Sequence, residues 1–522
     1  MQTQKMSRRT MLRLSGITAA ATWLVACAAA APAGDTADSA NAGAAPVEVS
    51  LVECWFGVPQ VPETMEAMAQ VISQRMQDSG QNIEFKSLIL DDRVNKYPVL
   101  YASGEKFTIA FDAPWVQMVN LIEQDYLLPI QDLVAQHGPN ITELVGDDIL
   151  NANYMNGALY GIPAYFYYHQ TSGPEIREDL RLKYGAPEPT DEWSSLEPYL
   201  EAIKQNEPDM VPYLINPTTD FGFGTGFLSL HSSAVNPGNR MVGSWVTDVW
   251  ENRVYTDSET MQVVQENIET VRRWAEKGYI NQSVIEGDLF VAGGAAARTN
   301  NEPDFKYWDS EKAVAKNVPG AQVSGWDMSG MRSGKVKRDR RLLQWNFIVT
   351  NKAAPEEAQI AGIQMFDWIM SNQDNIDLWL FGEAGKNYQA GEGLTYTEIE
   401  GVDPARNYRR TWYVGGMAGK RQRIAADTPE KARATLEFLS NPDNFLPNPM
   451  EGFQPDIKPV EAQLAALRAA DGEAKFPMLS GQDAAEVTLK FYQETLDAAG
   501  RQEVKAVFQE QLDAWVAANV KE

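Results

Sequence analysis

The chain has 522 residues, enough for two to four domains of ordinary size. Its formal net charge of -26 argues against a nucleic-acid partner, because phosphate binding needs a basic surface. Two Cys and three His rule out a disulfide framework and argue against a thiolate or imidazole metal centre, whereas 44% hydrophobic residues suffice for large cores.

The first 27 residues read as an export signal. A basic head holding Lys5, Arg8, Arg9 and Arg13 precedes an apolar stretch, Leu14 to Ala26, that is too short to span a bilayer. The Arg8-Arg9 pair resembles a twin-arginine signal, with Met11 where Phe is usual. Leu24-Val25-Ala26-Cys27 resembles a bacterial lipobox, which implies an acylated Cys27 as the mature N-terminus. Residues 28–46, rich in Ala, Gly, Ser, Asp and Pro, form a flexible tether.

Beyond the tether the pattern predicts a strand at 47–56, a helix at 63–78, a strand at 83–90, a helix at 91–103 kinked at Pro98, and a strand at 107–111. This β-α-β-α-β order predicts a parallel, doubly wound sheet, whose ligands sit beyond the carboxyl ends of the strands. Trp55 and the run Asp112-Ala113-Pro114-Trp115 fall there. Trp55 also reads as a core residue, and Asp112 equally well as a helix cap. A helix is expected at 115–127. An aromatic, extended run from Leu159 to Tyr168 places Tyr165 and Tyr167 on one side, and a helix is expected between Gly173-Pro174 and Gly185. The run reads either as a passage between two lobes or as a buried strand. Further on come a helix through Trp193 to Ile203, a strand at 210–215, a strand-like piece between Trp245 and Trp250, and a helix at 261–275. Arg332 to Arg341 reads as a solvated basic loop paired with local acids. An extended run at 342–350 holds Trp345, a helix covers 356–370, and the tail from Pro429 is mostly helical.

No phosphate loop, HExxH, GxSxG or EF-hand loop is present, and no cofactor or metal is expected. His137, His169 and His231 are scattered, Cys54 has no assigned role, and the adjacent pairs Asp91-Asp92 and Asp147-Asp148 diverge. Fourteen Trp and nineteen Tyr remain to build a site. Aromatic faces stack on sugar C–H groups, while Asp and amides accept from sugar hydroxyls.

Four stretches resemble bacterial extracellular solute-binding lipoproteins of ATP-binding-cassette importers, in the LipO-like oligosaccharide branch with an extra C-terminal helical region. They are Ser103 to Phe111 with Trp115; Asn156-Gly157 to Pro163 with Arg177 to Leu180 and Lys183-Tyr184-Gly185; Asn351 to Ala358 continuing to Gly382–Tyr388; and Ala498-Ala499-Gly500 with Gln509 to Trp515. Thr108 stands where Asp is more usual and Ala158 where Lys is. The resemblance implies an α/β, two-lobed periplasmic-binding-protein-like fold with doubly wound sheets, crossing hinge strands and a helical C-terminal region. Lobe 1 would hold 47–160 and 351–388, and lobe 2 would hold 161–350 and 389–522. The hinge would lie at 157–168 and 342–350, with a third crossing near Tyr388. Ligand contacts would come from Trp55, Asp112, Trp115, Tyr165, Tyr167, Trp245 and Trp345. The implied function is non-enzymatic: a monomer tethered by lipid or palmitate at the outer face of the cytoplasmic membrane captures an oligosaccharide and hands it to the membrane permease. Three alternatives stay open: a peptide or other polar-solute binder, a surface glycan hydrolase with two carboxylates across a cleft, and a purely structural surface protein.

Overall fold

The computed structural model describes residues 45–53, 61–90, 93–114, 116–155, 157–164, 167–169, 171–215, 246–248, 253–255, 261–281, 285, 287–301, 303–328, 332–334, 340, 342–344, 346–403, 406–410, 421–446, 453, 455–467, 469–470 and 485–519. The first sheet contains β1 (Val47–Glu53), β2 (Ile83–Ile89), β3 (Ile109–Asp112), β4 (Gly161–Pro163) and β10 (Phe347–Thr350) in the order β2-β1-β3-β10-β4. β1 pairs in parallel with β2 and β3, as the β-α-β-α-β pattern requires. β10 runs antiparallel to both β3 and β4, so the sheet is mixed rather than parallel throughout. Val49, Leu51, Ile109, Phe111 and Ile348 bury on one face, and Val52, Ala110, Phe347 and Val349 on the other. This alternation with period two explains why the strands read as continuous apolar runs. The helix Pro62–Asp78 covers the first face with Met65, Met68, Ile72 and Met76, and starts on a proline that has no N–H to leave unpaired. The helix Arg93–Ala102 carries Pro98 within it, and Tyr97 and Tyr101 cover the second face.

The second sheet, order β8-β5-β9, joins β5 (Ser172–Arg177), β8 (Ala297–Asn301) and β9 (Val323–Gly325), all antiparallel. β6 (Val246–Asp248) pairs with β7 (Arg253–Tyr255), and β11 (Tyr388–Ala390), β12 (Thr395–Glu398) and β13 (Ile424–Ala425) form a small sheet. β5 corrects the expectation of a helix directly after Gly173-Pro174, since that helix starts only at Glu178. The pair that reads as the start of a helix lies inside the strand. Gly173 is needed there for close approach, because a Cβ would stand 2.0 Å from the Trp326 carbonyl oxygen. The helix expected at 115–127 is the single segment Met118–Glu123, and three short helices, Gln131–His137, Pro139–Val145 and Asp147–Ala152, follow it.

A second core gathers Ile176 of β5, Leu200 and Ile203 of the helix Glu197–Asn206, Trp274 of the helix Met261–Glu276, and Phe453, Leu496, Val504, Phe508 and Leu512. The helical C-terminal region therefore packs on the second core. The buried chain passes from the first core to the second between Tyr168 and Ile176, returns between Met328 and Leu342, and passes over again between Phe445 and Phe453. Tyr388, Tyr396, Tyr408 and Leu439 all belong to the first core. Among the described residues no helix is long and apolar enough to cross a membrane.

The second core is clipped by Glu197, which accepts from Arg273 Nε and Lys277 Nζ, each at 2.7 Å, and from Trp274 Nε1 at 3.2 Å. Burial alone would raise its carboxyl, but these donors outweigh burial and hold the pKa below the ordinary value. A depressed carboxylate stabilises the fold above its unfolded pKa of about 4.3, and the gain is lost as pH falls through the folded value. We expect Glu197→Gln to cost about 1 kcal/mol at neutral pH, discounted for partial exposure, and the cost to fade in acid, below the unfolded carboxyl's pKa of about 4.3. Urea unfolding of both proteins at neutral and acid pH checks this.

Candidate functional site

The register of the first sheet collects strand ends at one edge. β1 ends at Glu53 and β3 at Asp112, while Phe347, the first residue of β10, lies opposite both Asp112 and Pro163, the last residue of β4. Candidate aromatics lie within three positions of these ends in the chain: Trp55 after Glu53, Trp115 after Asp112, Tyr165 after Pro163 and Trp345 before Phe347. Trp55, Trp115, Tyr165, Trp245 and Trp345 themselves lie outside the described residues, as does Cys27. Tyr167 is half-buried and packs against the first core. Ala164 donates its N–H to the Asn346 carbonyl at 2.8 Å, continuing the pairing past the end of β4.

Asp112 is fully buried. Its Oδ1 accepts from the N–H of Ala113 at 2.7 Å and of Gln117 at 3.1 Å. These bonds tie the turn that leads into the helix Met118–Glu123, but the N-cap of that helix is Gln117 and no side chain caps it, so Asp112 is not the helix cap that the sequence offered as an alternative. Tyr97 OH donates to the Phe111 carbonyl at 2.5 Å. The Tyr101 phenol titrates well above its usual range, first through burial and then through the charge of Asp112.

Beside Asp112, the edge carries a buried ion pair that sequence reasoning missed. The Arg410 guanidinium meets Glu53, whose other oxygen accepts from Ser87 Oγ. Arg410 Nε donates to Tyr408 OH at 2.8 Å, and its guanidinium lies 3.6 Å from the centre of the Trp379 ring. Tyr408 OH in turn donates to the Trp379 carbonyl at 2.7 Å. Burial pushes the Tyr408 phenol up to about 12. Burial also pulls Arg410 down, but Glu53 more than restores it. The only signal in the sequence was an arginine among aromatics in N-Y-R-R-T-W-Y, and its partner is 357 positions away.

Described residues at the three changes of core meet one another. Tyr168 N–H donates to the Leu439 carbonyl at 2.9 Å and Arg340 N–H to the Leu446 carbonyl at 2.6 Å, while the rings of His169 and Phe445 stack 6.2 Å apart. The basic loop is correspondingly not paired with local acids alone. Arg332 Nη1 donates to the buried Asp304 Oδ2 at 3.1 Å.

A separate cleft of about 240 Å³ lies between the helix Pro303–Asn317 and the β11–β13 sheet, lined by Trp308, Asp309, Lys312, Tyr396 and Arg409 among others. None of the residues singled out in the sequence lines it. Lys312 pairs with Asp427 at 2.9 Å and Arg409 with Glu398 at 3.4 Å, exposed ion pairs of small energetic weight, whereas burial raises the Asp309 carboxyl above its ordinary value. The described residues include no group of three or more His, Cys, Asp or Glu able to hold a metal ion.

Residues 449–517 match a family described as a domain of unknown function, DUF3502. The chain is 20% identical over 369 residues to a carbohydrate ABC transporter substrate-binding protein of Streptococcus pneumoniae serotype 4, covering 69% of each protein. The crystal structure of the N-glycan transport solute binding protein NgtS from Streptococcus pneumoniae superposes with a TM-score of 0.68 at 17% identity, over 90% of this chain and 99% of that one. The alginate-binding protein AlgQ2, solved without calcium ion, gives 0.61 at 16% identity, over 90% and 98%.

Removing the Arg410 side chain strands a buried carboxylate. Arg410→Met is expected to cost about 3–5 kcal/mol, and Glu53→Gln in the same background to recover part of it. A double-mutant cycle in urea checks this coupling, and strictly additive effects would contradict it. The fold anticipated from the four sequence stretches, that of the solute-binding proteins of ATP-binding-cassette importers, is the fold this chain has.

Proposed function

We propose that the chain is the extracellular substrate-binding lipoprotein of an ATP-binding-cassette importer, that it captures an oligosaccharide between two hinged halves, and that it makes or breaks no covalent bond in doing so. The observation that carries this reading is the shared edge: the ends of β1, β3 and β4 and the start of β10 meet there, and each lies within three positions of an aromatic residue in the chain. Two of those strand ends, at Pro163 and Phe347, lead directly into passages between the cores. A solute held at this edge is therefore also held at the hinge, and contacts from both halves favour closure. The fold shared with NgtS and AlgQ2, proteins named for N-glycan transport and alginate binding, supports a carbohydrate as the ligand class.

In this reading Trp55, Trp115, Tyr165, Tyr167 and Trp345 form the aromatic floor and Trp245 is the contact from the second half. Asp112 serves by fixing the turn that carries Trp115. The two halves comprise 47–168 with 342–445, and 172–328 with 453–519, divided where the buried contacts change over. Cleavage before Cys27 and its acylation hold the protein at the outer face of the membrane, within reach of the permease that receives the sugar.

The test is a melting screen of the purified chain against N-glycan-type, alginate-type and peptide ligands, followed by analysis of the recovered ligand. A bound oligosaccharide at a hundredfold excess over its dissociation constant adds about 2.7 kcal/mol of stability and is recovered unchanged. Trp115→Ala weakens binding about tenfold, or about 1.4 kcal/mol. Released reducing ends would replace capture with hydrolysis, and a response to peptides alone would replace the ligand class.

A further inference from the structure

We infer that Asp304 is the pivot of the hinge: a positioning residue that touches no solute but sets affinity by holding together the chain segments about which the halves turn. The inference rests on the two-half reading above. Asp304 opens the helix Pro303–Asn317, which packs on the second sheet, and it is fully buried. Its Oδ1 accepts from Thr171 Oγ1 at 2.5 Å. Its Oδ2 lies 3.1 Å from Arg332 Nη1 and 3.0 Å from Thr435 Oγ1. Thr171 sits on the first passage between the cores and Arg332 on the second. Thr435 belongs to the helix Glu430–Ser440, whose Leu439 is part of the first core, just before the third passage. One carboxylate thus gathers two of the passages and the approach to the third.

Arg332 Nη1 also donates to Thr435 Oγ1 at 2.7 Å, closing a ring of Asp304, Arg332 and Thr435 across the junction. Thr171 and Thr435 are as buried as Asp304. A second tie lies alongside: Lys431 Nζ donates to the Gly325 carbonyl of β9 at 2.5 Å and stands 3.9 Å over the Trp326 ring. Charge-assisted bonds of this kind, out of water, hold their geometry more firmly than neutral ones. They have a direct consequence for binding. If the passages are preordered, closure costs the solute little. If they are loose, part of the contact energy goes into ordering them and affinity falls.

The experiment compares wild type, Asp304→Asn, Thr435→Val and the conservative Thr435→Ser by hydrogen exchange and by calorimetric titration with the best oligosaccharide from the screen. Exchange without ligand is expected to speed up at least about tenfold in peptides containing Thr171 and Arg332 for Asp304→Asn and Thr435→Val, with β1 and β2 unchanged. Affinity is expected to fall about tenfold in both, and Thr435→Ser restores both readouts. Glu197→Gln, which weakens the second core away from the junction, leaves affinity unchanged and separates pivoting from general instability. Should Asp304→Asn fail to fold, the threonine pair decides alone. Unchanged exchange at the junction, or loosened exchange with wild-type affinity, overturns the pivot. If wild type binds no oligosaccharide, the proposed function fails, while the ligand-free exchange still shows whether Asp304 organises the passages.

Discussion

The insertion of β10 between β3 and β4 is the constraint on which this molecule depends. The strand comes back from the second core and pairs antiparallel on both sides, with Phe347 opposite Asp112 and Pro163 at once. A slip of one residue would exchange the two faces and drive Phe347 and Val349 out of one core and Ile348 out of the other. The register is therefore fixed by burial on both sides. It follows that the carboxyl edge of the parallel strands and the passages between the cores are one place. A ligand bound at that edge, as proposed, would therefore lie beside the proposed hinge.

Burial of charge recurs at the points where distant segments must meet. Glu53 takes Arg410, Asp304 takes Arg332, and Glu175, fully buried in β5, accepts from Arg298 Nε at 2.9 Å and Asn300 Nδ2 at 2.8 Å. Such pairs add little net stability compared with apolar residues of the same size, yet losing one partner is expensive. What they provide is a geometry that tolerates few alternatives. In a chain with so many carboxylates, pairing nearly every buried one with a guanidinium or hydroxyl keeps the cores from swelling with uncompensated charge.

Local pattern made β1, β2 and β3 legible, together with the helices beside them, because each is a run of apolar residues at the right period between turn signals. The four stretches behind the family resemblance pointed to the right fold. Gly173-Pro174 misled because a close approach of backbones inside a strand and the break before a helix use the same residues. The change of core between Phe445 and Phe453 was not visible, since nothing in that sequence differs from an ordinary loop. Asp112 could be read as a ligand contact or a helix cap, and its bonds to Ala113 and Gln117 make it a brace of the turn before the helix, whose N-cap is Gln117. Arg410 and Asp304 were out of reach for a different reason. Arg410 lies 357 positions from Glu53, and Asp304 lies 28 from Arg332, 131 from Thr435 and 133 from Thr171, separations over which no periodicity links partners.

The most direct measurement is a crystal structure of the mature chain grown with the oligosaccharide that raises its melting temperature furthest. The account predicts intact sugar rings stacked on aromatic side chains at the edge defined by Glu53, Asp112, Pro163 and Phe347, with at least one contact from the half that contains β5. Sugar bound only in the cleft beside Trp308, or an edge closed over by those aromatic side chains with no sugar against them, would contradict it.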